Sequence, residues 1–539
     1  MIRIQTALLV GVIFLASFFR FWQFLNVPPS LYWDEVSQGY NAYLIASTGK
    51  DEHQEFLPIA RFQAFGDYKA PTNIYLIALT MLITGKSDFA VRFPSALLGT
   101  LTVLCTFLLT KYLFYKKREA EWYGLAASFL LAISPWHIQL SRASFEANIA
   151  TFFTVLGTWL FFYSLRVRPW VMILSIISFV IGFYSFNAHR IFIPLFVASL
   201  FLIEYKAVLL SKKQVITAYF IGFVLLLPFI LYFSTPESKL RFQEVNVFSD
   251  VSLVKKSNLM TLEDDNSLLG KLIHNRRVIY VQKYAENYLS FFEPKYLFFR
   301  GDANPRFSDQ SNGELFLFLA PLLIIGGYAL FWQRKQLLVI LSWVLLAPVA
   351  AATAREVPHA LRSETFIPTF ELIASVGIVT LTIFVHRNLK KATIIIPVFF
   401  VGIAALSCVQ FWHDYLVQNP RLYSADWQYG YSQVIQKVQK MQGSVDHIYF
   451  TNTYGRPYIY VAWYGNVTSK DFWKNIDMRK DAFGFYNVYS LGKYTFTNTP
   501  PLEKNALYVT DPIYVPEHAK IVDRVNFLNG QSAFVISRL

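Results

Sequence analysis

The sequence predicts a polytopic α-helical membrane protein that carries a small α/β domain at its C-terminal end. Three observations predict it. Of 539 residues, 54% are hydrophobic, 18% aromatic and only 16% charged, with mean hydropathy +0.36. A soluble chain of this length cannot hide so much apolar surface, whereas a bilayer solvates it. Long apolar runs alternate with short basic connections down the chain. Beyond about residue 412 that pattern gives way to short β-type alternation around one amphipathic stretch.

The net charge of +14 raises the question of nucleic acid. The basic residues, however, occupy short loops between apolar runs, the arrangement that orients membrane proteins. Membrane lipids are expected partners and nucleic acid is not. Cys105 and Cys408 both lie inside apolar runs, which leaves neither a disulfide framework nor a cysteine metal site. The first apolar run continues straight into Arg20, Phe21 and Trp22 with no small-residue cleavage site. An uncleaved signal anchor is the expectation.

Apolar windows of about 19 residues recur near 4–24, 91–110, 122–140, 147–165, 170–186, 191–205, 215–233, 314–332, 337–353, 365–385 and 392–412, about eleven spans in all. Every second connection is basic: Lys111, Lys116, Lys117 and Arg118; Arg166 and Arg168; Lys206, Lys212 and Lys213; Arg334 and Lys335; Arg387, Lys390 and Lys391. This alternation predicts a cytoplasmic N-terminus and places the other connections outside a plasma (inner) membrane. The apolar run 72–84 is too short to cross a ~30 Å hydrocarbon core, and counting it would invert the alternation. It reads as a helix in the outer interface. The outer segments are then a loop over 25–90, a loop over 234–313 and the chain after 412, with outer juxtamembrane helices beside the spans. Residues 1–412 form the expected transmembrane domain. Residues 413–539 form the expected extracytoplasmic α/β domain, with a helix over 426–441 and strands over 447–451, 483–489, 506–509, 520–525 and 532–537.

Paired acidic and basic residues gather on those outer connections. Asp34 and Glu35 follow the first span, directly after Tyr32 and Trp33, aromatic residues that anchor at headgroup depth. A carboxylate at a cavity rim can take a proton from an acceptor hydroxyl, although most such pairs are solvated loop residues. Asp67 and Lys69 lie in the same loop, and a lysine there can hold a lipid phosphate or simply snorkel. Arg142 and Glu146 are four apart, which reads either as an ion pair on one helix face or as Glu146 facing a cavity with Asp34. His189 and Arg190 interrupt two apolar runs, where polar residues face a cavity or a partner. His359 lies between Arg355 and Arg362 in a tight loop, and two arginines near one anion suit a phosphate leaving group. Together these residues suggest a membrane-embedded enzyme acting outside the cytoplasm. No phosphate-binding glycine loop, dinucleotide fingerprint, HExxH or nucleophile elbow accompanies them.

Five features in order carry a resemblance. They are Trp33-Asp34-Glu35, Asp67-Tyr68-Lys69-Ala70-Pro71, the run Ala90 to Gly99 (AVRFPSALLG), Ser134-Pro135-Trp136-His137 with Ser141 to Glu146 (SRASFE), and the multi-span body with its outer tail. The chain resembles the GT-C membrane glycosyltransferases, in the branch of protein O-mannosyltransferases and bacterial aminoarabinose transferases. The resemblance covers the first 200 residues by motif and the remainder by architecture. It implies an inverting glycosyltransferase of the EC 2.4 class, with a polyprenyl-phosphate sugar as donor and a hydroxyl of protein, lipid or glycan as acceptor. Asp34 matches the family's catalytic acid, Glu146 its second-loop acid and Lys69 the lysine near the donor phosphate, with Glu35 in support. The chain departs from the family at Lys69-Ala70-Pro71, where Lys-Pro-Pro is common, and at Glu146, where Asp is common. Substrate contacts are expected from Asp67, Lys69, Arg142, His189, Arg190, His359 and Arg362. Asp34, Glu35, His189 and His359 offer donors for a divalent cation, but no ligand spacing compels a metal or another cofactor. The rival reading is a transporter or flippase for lipid-linked sugars. It lacks the internal repeats and the midplane polar groups common in transporters.

Overall fold

The computed structural model describes residues 2–65, 67–235, 246–388, 395–480 and 486–539. Among them, seven helices are long and apolar enough to cross a bilayer: Ile4–Phe21, Asp88–Leu113, Glu146–Arg166, Lys212–Phe233, Arg334–Ala351, Glu364–Asn388 and Val398–Leu422. These match seven of the expected spans. The other four are helical but shorter: Ala120–Ala132, Met172–Phe183, Asn187–Ile203 and Leu319–Phe331. At 1.5 Å per residue, a 13-residue helix covers only about 20 Å of a ~30 Å core. The run 122–140 is shortened by a break. Ala120–Ala132 ends before Ser134, and Pro135, which has no N–H to give, opens a separate helix Pro135–Arg142.

The chain forms two compact units, Met1–Arg20 with Leu97–Ser141 and Glu146–Phe411, and Phe21–Ala96 with Arg142–Phe145 and Trp412–Leu539. The division therefore differs from a single boundary at 412. In the first unit, helices Leu319–Phe331 and Thr369–Asn388 meet at Gly326 and Gly377. A Cβ added at Gly326 would lie 1.9 Å from the Ile373 carbonyl oxygen, and one at Gly377 2.1 Å from that of Leu322. Only glycine permits so close a backbone approach, the usual device of helices packed inside a bilayer. The 234–313 connection contains helices Val251–Glu263, Leu268–Ile273 and Arg276–Ser290. Its residues 236–245 lie outside the described residues.

The second unit joins the first long loop to the C-terminal region through one core. The loop holds helices Trp33–Thr48 and Pro71–Thr84 and the hairpin β1 (Phe62–Ala64) and β2 (Asp67–Lys69). The C-terminal region supplies β3 (His447–Phe450), β4 (Ile476–Lys480), β5 (Tyr486–Leu491), β6 (Tyr494–Phe496), β7 (Ala506–Thr510), β8 (Lys520–Asn526) and β9 (Ser532–Arg538). They form one sheet in the order β4-β5-β6-β3-β7-β9-β8, with β3 parallel to both β6 and β7. Every residue of β7 is buried, as a central parallel strand requires. Val434, Ile435 and Val438 of helix Tyr431–Met441 share a buried cluster with Ile448, Leu507 and Phe534 of the sheet. Val36, Tyr40 and Leu44 of Trp33–Thr48 complete it. The loop and the tail thus bury apolar faces in common.

The structure refines the expected elements here. The helix expected from 426 begins at Tyr431, because Gly430 has φ +107, outside helical space. Strands β4 and β6 are additional. The first is a charged edge strand and the second only three residues long, so neither shows clear alternation. Of the run 483–489, residues 483–485 lie outside the described residues.

Glu52 ties these parts together chemically. Its carboxylate is buried and accepts hydrogen bonds from Tyr458 Oη at 3.2 Å and Asn41 Nδ2 at 3.4 Å, while its N–H donates to Asn41 Oδ1 at 3.0 Å. Burial pushes its pKa up to about 8, against the opposing hydrogen bond from Asn41, with Asp51 adding repulsion and Arg456 attraction. A carboxyl whose folded pKa exceeds its unfolded value favours the folded state below the unfolded value, about 4.5. That contribution is lost as pH rises through 8. Glu52→Gln is therefore expected to flatten the fall of melting temperature between pH 5 and 9, staying above the parent protein at the alkaline end. An unchanged pH profile for the variant would remove Glu52 as its source.

Candidate active site

The Asp34-Glu35 pair sits in the first turn of helix Trp33–Thr48. The helix starts at Trp33, whose N–H donates to Gln428 Oε1 at 2.8 Å. It ends at Gly49, which adopts φ +74 and returns its N–H to the Ile45 carbonyl. Close approach of Val91 and Trp463 leaves no room for a Cβ at Gly39.

Glu35 is fully buried and accepts four hydrogen bonds. They come from Arg92 Nε at 3.0 Å, Arg92 Nη2 at 3.1 Å, the Ser144 N–H at 2.9 Å and the Tyr32 N–H at 3.2 Å. Arg92 is equally buried and also donates to the carbonyls of Phe24, Pro28 and Ser30 at 2.9, 2.8 and 2.6 Å. A carboxylate spent on four donors is a positioning group, neither a base nor a metal ligand. Grouped with Asp34 and Glu146 as a catalytic residue on its place in the motif, Glu35 is held instead as a support by these four donors.

Asp34, one residue earlier, is partly exposed and forms an ion pair with Lys69 at the end of β2. Two features favour negative charge at this carboxylate, the lysine and the positive end of the helix dipole. A second network fixes the next turn of the helix. Asn73 Nδ2 donates to Gln38 Oε1 at 2.5 Å and to Ser144 Oγ at 2.9 Å. Gln428 Oε1 accepts from Tyr460 Oη at 2.7 Å, beside the Trp33 N–H. Asp67 lies on β2 opposite Ala64, but its side chain falls outside the described residues.

Arg142 and Glu146 do not share a helix face. Arg142 ends one helix and Glu146 opens the next, with Ala143-Ser144-Phe145 between them. Arg142 is fully buried and donates to the carbonyls of Trp22 at 2.8 Å and Val27 at 2.9 Å, beneath the rings of Trp412 and Tyr415. It staples the chain after the first helix; the expectation of a substrate contact is corrected on that ground. Glu146 is half-buried in the first unit, and Asp34 belongs to the second.

The remaining expected contacts lie in the first unit. His189 is buried, with both ring nitrogens unbonded among the described residues, between the rings of Phe186 and Phe192. The Arg190 guanidinium lies over Phe229. His359 Nδ1 stands 3.5 Å from Asp302 Oδ2, which accepts the Ala360 N–H at 2.7 Å. Burial, with Arg362 and Arg306 nearby, lowers the His359 pKa to about 3, so the ring is neutral. Arg362 donates to the Glu356 carbonyl and Arg355 to the Asn246 and Ser249 carbonyls. Among the described residues no three His, Cys, Asp or Glu side chains are placed to hold a metal. Residues that the sequence left without a role are Arg92, Asn73, Ser144 and Gln428. Arg92 carried a signal, a lone arginine inside an apolar run, and Ser144 lies in the SRASFE motif; Asn73 and Gln428 carried none.

Solved structures show the same architecture. ArnT from Cupriavidus metallidurans in its apo state superposes with a TM-score of 0.54 at 12% identity, over 99% of this chain and 97% of that one. The chain has the GT-C fold. ArnT bound to undecaprenyl phosphate matches over the same shares, with a TM-score of 0.51 and 11% identity. The Archaeoglobus fulgidus oligosaccharyltransferase gives 0.46 at 15% identity, over 80% of this chain and 55% of that one. Residues 68–232 match the family described as dolichyl-phosphate-mannose-protein mannosyltransferase. "Putative mannosyltransferase YkcB" of Bacillus subtilis (strain 168) is 29% identical over 171 residues, 31% of this chain. The match spans 22% of the length of that curated relative. The resemblance to the GT-C membrane glycosyltransferases thus stands, on sequence over the matched segment and on fold over the whole chain.

Proposed function

We propose that this multi-pass membrane protein is an inverting glycosyltransferase, moving a sugar from a polyprenyl-phosphate donor to an acceptor hydroxyl on the outer face of the membrane. The observation that carries the reading is the Asp34–Lys69 pair at the start of helix Trp33–Thr48, on a base locked by Glu35 and Arg92. The family match over 68–232 and the fold shared with ArnT, which binds undecaprenyl phosphate, support it.

In this reading the acceptor oxygen attacks the anomeric carbon and its proton passes to Asp34. The bond from that carbon to the phosphate oxygen breaks, and the polyprenyl phosphate leaves with the electron pair. The leaving group is already stable, so the protein need supply only a base, cationic stabilisation and alignment. Lys69 turns from Asp34 toward the phosphate as the donor binds and supplies positive charge there. Glu146 is the alternative base. The decisive experiment incubates membranes containing the protein with radiolabelled polyprenyl-phosphate sugars and separates the products. Label moving to a new acceptor supports transfer; label crossing the bilayer still attached to its lipid would support a flippase instead.

The orientation is tested separately. With Cys105 and Cys408 replaced, a cysteine at Ser469 is expected to react with a membrane-impermeant thiol reagent on intact cells, and one at Lys116 is not. The reverse labelling would put Asp34 on the cytoplasmic side and end the outer-face reading.

A further inference from the structure

Helix Arg276–Ser290 is amphipathic the wrong way round for an element facing water. Its polar and aromatic face points into the protein. Tyr284 Oη donates to the Val349 carbonyl at 3.1 Å and Tyr288 Oη to that of Leu345 at 2.8 Å. Asn287 Nδ2 donates to the carbonyls of Ala352 and Ala354 at 3.1 and 3.0 Å. Val349, Ala352 and Ala354 belong to the end of the candidate span Arg334–Ala351 and the turn after it, where a helix leaves carbonyls unpaired, and Leu345 lies further inside the span. The opposite face, Val278, Val281, Ala285 and Leu289 at helical spacing, is exposed, Val281 to 65%.

The two helices before it repeat the inversion. Val251, Leu259 and Leu262 of Val251–Glu263 are exposed. In Leu268–Ile273 four apolar side chains are open, with Leu268 at 89% and Leu272 at 71%. Contiguous apolar surface of this kind marks an interaction face. Continuity identifies its partner. Tyr288 is bonded at Leu345, and Leu338, Leu341 and Leu345 form the exposed apolar stripe of the span itself. Lys255, Lys256, Lys271, Arg276 and Arg277 stand exposed beside the apolar residues. Three of the four acidic residues are gathered at the turn 263–265, where Asp264 is taken up by His274 at 2.9 Å, and the fourth, Glu286, is paired with Lys283 at 3.4 Å. Apolar side chains bordered by lysine and arginine suit a helix lying in the plane of a bilayer surface.

We propose that residues 251–290 form a membrane-seated element, with the exposed leucines and valines in the acyl region and the basic residues at the lipid phosphates. The full-length protein, with Cys105 and Cys408 replaced, is spin-labelled at Leu269→Cys or Val281→Cys and placed in nanodiscs of phosphatidylethanolamine and phosphatidylglycerol. Asn529→Cys, on an exposed turn of the C-terminal sheet, serves as the water-facing control. Collision with oxygen is expected to exceed collision with a water-soluble nickel complex at 269 and 281, the reverse of the ratio at 529. Free access of the nickel complex at 269 and 281 overturns the proposal. Protection from both reagents also overturns it, by placing protein against the face. Should Leu269→Cys fail to purify, Leu272→Cys and Leu289→Cys read the same surface.

Discussion

Asp34→Asn is expected to give a folded protein that still binds donor lipid but transfers sugar ~10²–10⁴-fold more slowly, the usual contribution of a positioned base. The substitution keeps the size of the side chain and its hydrogen-bonding capacity, and removes its basicity and its ion pair with Lys69. The effect therefore falls on turnover. Stability should hardly change, because Asp34 is partly exposed and ion pairs of that kind contribute little to folding. Lys69→Ala is the comparison: it removes the same ion pair, leaves the base, and should weaken donor use. Transfer at the normal rate in Asp34→Asn, together with loss in Glu146→Gln, would move the base to Glu146.

The second large effect is on folding. Arg92→Ala leaves the Glu35 carboxylate buried with only two backbone N–H donors, and removes all five of the hydrogen bonds that Arg92 donates. Breaking a buried pair from one side costs about 3–5 kcal/mol. The melting temperature in detergent should fall sharply, and activity with it, because Asp34 occupies the same helical turn as Glu35. Glu35→Leu should do equal damage by stranding the arginine. The double variant Glu35→Leu with Arg92→Leu is expected to melt above either single variant, since no charge is then buried alone. Single variants that melt with the parent protein would show that the pair holds nothing together.

Much of the architecture was legible because it depends on local properties. Apolar run length marked all eleven helices that became spans or shortened spans, and the 72–84 run was read as a separate short helix and is one, Pro71–Thr84. The break before Pro135 was missed because the window over 122–140 is apolar on average, and the defect lies in a backbone donor that hydropathy does not weigh. Of the candidate site, one pairing was legible. Asp34 and Lys69 were read as members of one site from motif order, and they are ion-paired. Arg142 and Glu35 were assigned by charge and proximity in sequence, and both proved to be buried supports.

The amino-acid sequence by itself determined that this is a multi-span helical membrane chain with a β-containing tail, because burial in lipid and strand alternation are written in the period and length of apolar residues. It also ordered the acidic and basic motifs along the chain. Tertiary structure alone decided which charges are available to a substrate. Glu35 and Asp34 are adjacent and chemically alike, yet one is consumed by Arg92 from 57 residues away and by Ser144 from 109, and the other meets Lys69 at a partly exposed rim. Tertiary structure likewise joined the 25–90 loop to the C-terminal sheet in one core. Partners so distant in sequence leave no periodic trace, because what selects them is the burial of complementary surface, which belongs to the folded chain.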